Sequence, residues 1–207
     1  MSELLDRLLA DAQSVGAIGP GPLERHIAHA RGFVEQLTRR LPTTARVLDL
    51  GSGGGLPGLV IAEELPELSL TLLEGRTERA RQLGEAVEQL ARPGSIDVLV
   101  ARAEDAGRNP DLRCTFHAVV SRGFGTPAVT AECAAPFLRI GGYLICSEPP
   151  ETERSVRRWP KDGTALAGLE LVDRVAEPFA LAILCQIEDC PARLPRRVGI
   201  PNKRPLF

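Results

Sequence analysis

The sequence predicts an α/β fold on one doubly wound sheet, and three observations carry that reading. From Arg46 onward, apolar runs of five or six residues alternate with helix-forming segments, the texture of buried parallel strands joined by crossovers. The run Arg46–Leu50 leads straight into five glycines within eight positions, Gly51, Gly53, Gly54, Gly55 and Gly58. Such a turn lets backbone approach a ligand at the carboxyl end of a strand, where doubly wound sheets bind nucleotides. Finally, Glu74 closes the next apolar run, at about the ~20-residue spacing where an acid meets ribose hydroxyls.

Before the sheet, Leu4, Leu5, Leu8 and Leu9 repeat at helical spacing, and Gly16 to Pro22 interrupt the pattern. Ile27, Ala30, Phe33, Val34, Leu37 and Leu41 then resume it, so residues 1–44 form a helical appendage. Strands follow at Arg46–Leu50, Ser69–Glu74, Ile96–Ala101, Ala118–Ser121, Gly142–Ser147, Glu170–Val175 and Leu181–Ile187. Helices fall at Pro57–Glu64, Glu78–Leu90, Pro127–Leu138 and Glu151–Trp159. The last two strands follow one another with no helix between them, which implies a closing antiparallel pair. Residues 45–190 make the main domain and 191–207 a basic arm.

Composition narrows the function. A chain of 207 residues with 43% hydrophobic content can bury one full core, and a net charge of −2 argues against coating nucleic acid along the whole surface. No apolar run reaches the roughly 20 residues of a bilayer span, and the start lacks the basic residues of a secretory signal, so a cytoplasmic protein is expected. Cys114, Cys133, Cys146, Cys185 and Cys190 show no C-x-x-C spacing and read as buried free thiols, with no metal.

Gly53, Gly55 and Gly58 also satisfy the dinucleotide fingerprint, so the glycines alone do not choose a cofactor. Asp49, two residues before Gly51, has no counterpart in that fingerprint; it holds either the loop or a donor's amino group. Glu74 can accept from both ribose hydroxyls, Gly75 lets the sugar approach, and Arg102-Ala103-Glu104-Asp105 stands where an adenine amino group is read.

Taken together, DLGSGGGLPG, LLEGR, ARAED, VVSRGF and the tail PRRVGIPNKRPL resemble the ribosomal small-subunit methyltransferase G family, from about Arg25 to Phe207. The resemblance implies a class I, Rossmann-like methyltransferase with a seven-stranded sheet whose last strand is antiparallel. It further implies methyl transfer from S-adenosylmethionine to N7 of the guanine at position 527 of 16S rRNA. Carried over by motif, Asp49, Gly51, Ser52, Gly53, Gly55 and Gly58 form the donor loop, Glu74 with Gly75 the ribose contact, and Ala103 with Glu104 the adenine contact. Arg122 matches an arginine beside the donor and target base, and Arg196, Arg197, Lys203 and Arg204 match an end placed for rRNA contact.

The chain departs from the family at its base-facing wall. The helix motif Arg-His-Ile-x-Asp-Ser reads here Arg25-His26-Ile27-Ala28-His29-Ala30, and His117 stands where an Asp commonly begins the fourth strand. A methyltransferase of small molecules and a non-catalytic ribosome-assembly factor therefore remain alternatives. N7 of guanine has an in-plane lone pair and no proton to lose, which fits a sequence with no catalytic triad and no paired acid–base carboxylates. Arg122 can hydrogen-bond guanine O6, and Phe124 is the nearest stacking candidate, with Tyr143 and Trp159 the others. Residues 191–207 carry five cations and no acid, with prolines that favour an extended, phosphate-tracking arm on a monomer, and Arg154, Arg157 and Arg158 form a second basic cluster.

Overall fold

The computed structural model describes residues 2–90, 96–149 and 158–207. The helix expected at Glu151–Trp159, and the cluster Arg154 and Arg157, lie largely outside them. Two helices come first. In α1 (Glu3–Ser14) the Ser2 hydroxyl accepts the Leu5 N–H at 3.3 Å as an N-cap, and Leu5, Leu8 and Leu9 are buried. In α2 (Leu23–Arg40) the stripe Ile27, Ala30, Phe33 and Leu37 recurs every three or four residues and is buried. That stripe joins one cluster with Val47, Leu70 and Val120 of the sheet and with Leu59 and Ile61, so both N-terminal helices pack on the same core as the strands.

The remaining elements alternate: β1 (Arg46–Leu50), α3 (Gly58–Glu64), β2 (Ser69–Glu74), α4 (Thr77–Gln89), β3 (Ile96–Val100), α5 (Ala103–Ala106), β4 (Phe116–Ser121), α6 (Pro127–Ala134), β5 (Leu138–Ser147), α7 (Lys161–Ala165), β6 (Leu169–Val175), β7 (Leu181–Gln186) and α8 (Ile200–Lys203). The sheet order is β3-β2-β1-β4-β5-β7-β6. Strands β3 to β5 pair in parallel, whereas β7 runs antiparallel to both β5 and β6. The chain builds outward from β1 to β3 and then returns to β4 on the other flank of β1. A crevice therefore opens at the carboxyl ends of β1 and β4, the switch point where such sheets bind ligands.

Three details differ from the sequence reading. The helix expected to reach Leu138 stops at Ala134, and Ala135-Pro136-Phe137 forms a tighter 3₁₀ turn, because Pro136 has no N–H to continue an α-helix. Strand β5 starts four residues earlier than its periodicity suggested, since Leu138 already pairs with Phe116. Residues 191–207 do not run as an extended arm: Leu194, Pro195 and Pro201 are buried, and the segment turns into α8 against the body. Side chains from the body hold its backbone, Arg113 donating to the carbonyls of Cys190, Pro191 and Leu194 and Arg108 to that of Pro195 at 2.7 Å. Cys133, Cys146 and Cys190 are buried free thiols, Cys185 is half-buried and Cys114 is exposed.

Phe33 is wholly buried between α2 and the sheet. Phe33→Ala lowers the free energy of unfolding by about 3–5 kcal/mol, read from the urea midpoint at unchanged slope.

Candidate functional site

The loop after β1 is held by two carboxylates. Asp49, on β1, is buried, and its Oδ2 accepts the Gly58 N–H at 3.0 Å. A Cβ on Gly58 would sit 2.6 Å from that oxygen and 2.4 Å from Leu72, so only glycine lets the start of α3 reach the acid. The Gly51 and Ser52 N–H groups donate to the Leu73 carbonyl, which ties the loop to β2. Gly51 has φ +75°, and a Cβ there would meet the Phe124 ring at 2.7 Å, so that ring seats on the loop only because the position is glycine. The Ser52 hydroxyl donates to the Asp49 carbonyl at 3.1 Å and is buried; it shapes the turn from beneath.

Glu74 ends β2 beside the loop. Its Oε2 accepts the Gly53 N–H at 2.9 Å and its Oε1 the Arg76 N–H at 2.8 Å, leaving each oxygen a second lone pair. A cleft of about 230 Å³ opens here, lined by Gly51, Glu74, Gly75, Ala103 and Phe124, with Asn202 of α8 on the facing side. Gly75 packs against Arg102, whose side chain a Cβ would approach to 3.0 Å. Glu104 is buried and its Oε1 accepts the Gly199 N–H at 3.0 Å, so the acid expected at an adenine also anchors the C-terminal segment.

Burial pushes the Asp49 carboxyl up to about 7, against the pull of the Gly58 N–H and the Arg122 charge. Its Oδ1 is buried with no partner among the described residues. A buried acceptor left open, a carboxylate with free lone pairs and a cleft of nucleoside size are the features that a donor with an ammonium group and a ribose satisfies. The residues present fit S-adenosylmethionine.

Across the crevice, Arg122 follows β4 and is half-buried. Its Nη2 donates to Nδ1 of His26, on the first turn of α2, while Nε2 of His26 donates to the carbonyls of Gly19 and Pro20, each at 3.1 Å. With carbonyls at Nε2 and a guanidinium N–H at Nδ1, the ring donates from Nε2 and accepts at Nδ1. One turn further, His29 stacks on Phe179 of the β6–β7 turn, centroids 4.9 Å apart and planes 16° from parallel. Burial, then the Arg122 charge, pushes the His29 imidazole down to about 4, and its Nε2 has no partner among the described residues. Burial also lowers Arg122, countered by Asp49. Sequence alone assigns neither His26 nor His29 to the site; their three-residue spacing on α2 is the signal that accompanies the motif Arg25-His26-Ile27.

The other expected positions lie elsewhere. Trp159 is buried with its indole N–H on Glu148, Tyr143 lies on β5 under Arg40, and the His117 Nδ1 accepts the Arg46 N–H at the opposite ends of the strands. Arg196 turns inward: its backbone N–H, Nε and Nη2 all donate to the fully buried Glu132, at 2.9, 2.8 and 2.6 Å. Arg197, Lys203 and Arg204 are exposed.

The sheet order and the cleft beside Glu74 define a class I S-adenosylmethionine-dependent methyltransferase fold; the antibiotic-resistance methyltransferase Kmr shares it, with a TM-score of 0.55 at 17% identity over 73% of this chain and 92% of that one. The family described as rRNA small subunit methyltransferase G matches residues 22–159. Proteins carrying the name ribosomal RNA small subunit methyltransferase G are similar along most of the chain. That of Moorella thermoacetica is 34% identical over 82% of this chain and 73% of its own, and that of Dehalococcoides mccartyi 35% over 87% and 79%. The chain belongs to the rRNA small subunit methyltransferase G family.

Asp49 gives the site a pH signature. The unfolded chain releases this proton near 3.8 and the folded protein holds it to about 7, so between those values the native state binds more protons and stability from this group falls as pH rises. Asp49→Asn keeps an acceptor for Gly58 and removes the titration. In urea unfolding from pH 4 to 8 the variant gains on the wild type by at most about 1.4 kcal/mol per pH unit, levelling off above pH 7.

Proposed function

We propose that this protein is an S-adenosylmethionine-dependent methyltransferase acting on N7 of the guanine at position 527 in 16S rRNA, as a monomer in the cytoplasm. The observation that carries the reading is the crevice at the β1–β4 switch point, with a ribose acid on one flank and a guanidinium on the other. Among the described residues no helix is long and apolar enough to cross a membrane, and no group of three or more His, Cys, Asp and Glu is arranged to hold a metal.

S-adenosylmethionine, when bound, supplies an electrophilic methyl on a sulfonium. The Asp49–Gly58 bond and the Glu74–Gly53 bond keep the loop in one shape before any ligand arrives, so ordering costs little on binding. Glu74 accepts ribose hydroxyls with its remaining lone pairs. Arg122, steered by His26, presents N–H donors to the acceptor base, where a guanidinium pairs with guanine O6 or clamps a phosphate. Because N7 carries no proton, none of these residues serves as a general base; alignment does the work, for which proximity and orientation supply up to roughly 7–11 kcal/mol. The exposed Arg197, Lys203 and Arg204, in and beside α8, add phosphate contacts.

Glu74→Ala removes charge-assisted hydrogen bonds worth about 1.5–3 kcal/mol, so titration calorimetry with S-adenosylmethionine shows a dissociation constant raised roughly 10- to 100-fold; an affinity within twofold of the wild type removes Glu74 from the donor site. Arg122→Ala slows turnover about 10²-fold, the usual cost of one donor aimed at the reacting group, while donor affinity stays within a few fold. Borohydride and aniline cleavage of 16S rRNA from a strain lacking the gene reads the product directly. The cut at position 527 disappears and returns on complementation; a cut that persists in the deletion strain sinks the rRNA assignment.

A further inference from the structure

The C-terminal segment is fastened by groups that a loose basic tail does not need. Glu132 and Glu104 are both buried, and each is satisfied by this segment, Glu132 by three N–H groups of Arg196 and Glu104 by the Gly199 N–H. Gly199 has φ +79°, a left-handed turn that sends the chain into α8. Arg196 Nη2 also donates to the Arg204 carbonyl at 2.6 Å, closing the segment into a hook around α8. The position of α8 is thereby fixed, and what it sets against the cleft is Asn202.

The chemistry of the lining singles this residue out. An adenine edge places an N–H donor beside a ring-nitrogen acceptor, so a single side chain that reads both positions must both accept and donate. Among the described lining residues, Arg76, Arg79 and Arg102 only donate and Glu74 and Glu104, when ionised, only accept. Asn202 is the one amide there, and its side chain makes no hydrogen bond to any described residue. Glu104 has one oxygen spent on Gly199, so the acid that the sequence pairs with adenine positions the hook as well.

We propose that Asn202 reads the adenine edge of the donor, making the C-terminal hook a wall of the donor site. This rests on the reading of the cleft as an S-adenosylmethionine site. Being exposed, Asn202 carries no packing that its removal would disturb.

Calorimetric titration of the full chain with S-adenosylhomocysteine and with its hypoxanthine counterpart, S-inosylhomocysteine, tests the idea. The second ligand exchanges the 6-amino donor for a carbonyl and adds a ring N–H. In the wild type the adenine ligand binds about tenfold tighter or more, the discrimination expected of one bidentate pair. Asn202→Ala weakens binding of the adenine ligand and cuts the preference at least fivefold, with an unfolding midpoint in the absence of ligand equal to the wild type. Equal loss for both ligands, with the preference intact, shows a loosened hook and overturns the proposal. Affinity and preference both within twofold of the wild type overturn it too, with the donor reading left standing. A wild type that binds neither ligand fails the donor reading itself.

Discussion

The carboxylate of Glu74 holds two loops at once, and the cleft exists because it does. One oxygen takes the amide of Gly53 after β1 and the other that of Arg76 after β2, so the ends of neighbouring strands are locked in one relative position. The same device recurs around the crevice. Asp49 takes the amide of Gly58, Glu104 that of Gly199 and Glu132 that of Arg196. All four acids are buried, and an acid out of water is tolerated only when hydrogen bonds replace its hydration. Loops that would otherwise wander are thus fixed by the requirement to satisfy buried carboxyl groups.

This scheme explains why the two flanks of the crevice differ in character. The flank at β1 and β2 is made of backbone amides aimed at acids and closed by glycines that leave no room for a Cβ. The opposite flank is made of side chains, Arg122, His26, His29 and Phe179, brought together from β4, α2 and the β6–β7 turn. Burial and the Arg122 charge keep the His29 imidazole neutral, so this wall sets the guanidinium beside an uncharged ring stacked on Phe179.

Much of the fold was legible because period-two and period-3.6 patterns are local. Strands β1 and β2 fall on the residues their apolar runs mark, and the remaining strands differ at their ends by a few residues. Helices α5, α7 and α8, of four or five residues, are too short to show a period at all. The glycine loop was legible for the same reason, since Asp49 and Gly58 lie nine residues apart. Arg122 and His26 are separated by 96 residues, and Arg196 and Glu132 by 64. Charge counting sees five cations in the tail and cannot see that one of them is claimed by a buried acid on a distant helix.

The buried stripe of α2 and its two histidines are neighbours along one helix, His29 also meeting the Phe33 ring with centroids 5.7 Å apart. Ile27, Phe33 and Leu37 belong to the core, whereas His26 and His29 meet Arg122 and Phe179. Of the two positions where the family pattern has Asp and Ser, His29 therefore faces the Arg122 wall, whereas Ala30 is itself part of the buried stripe that packs on the sheet. A carboxylate at position 29 would trade the ring stack on Phe179 for a charge beside Arg122, while a hydroxyl at position 30 would need a hydrogen-bond partner inside the core, so the two exchanges answer to different physics.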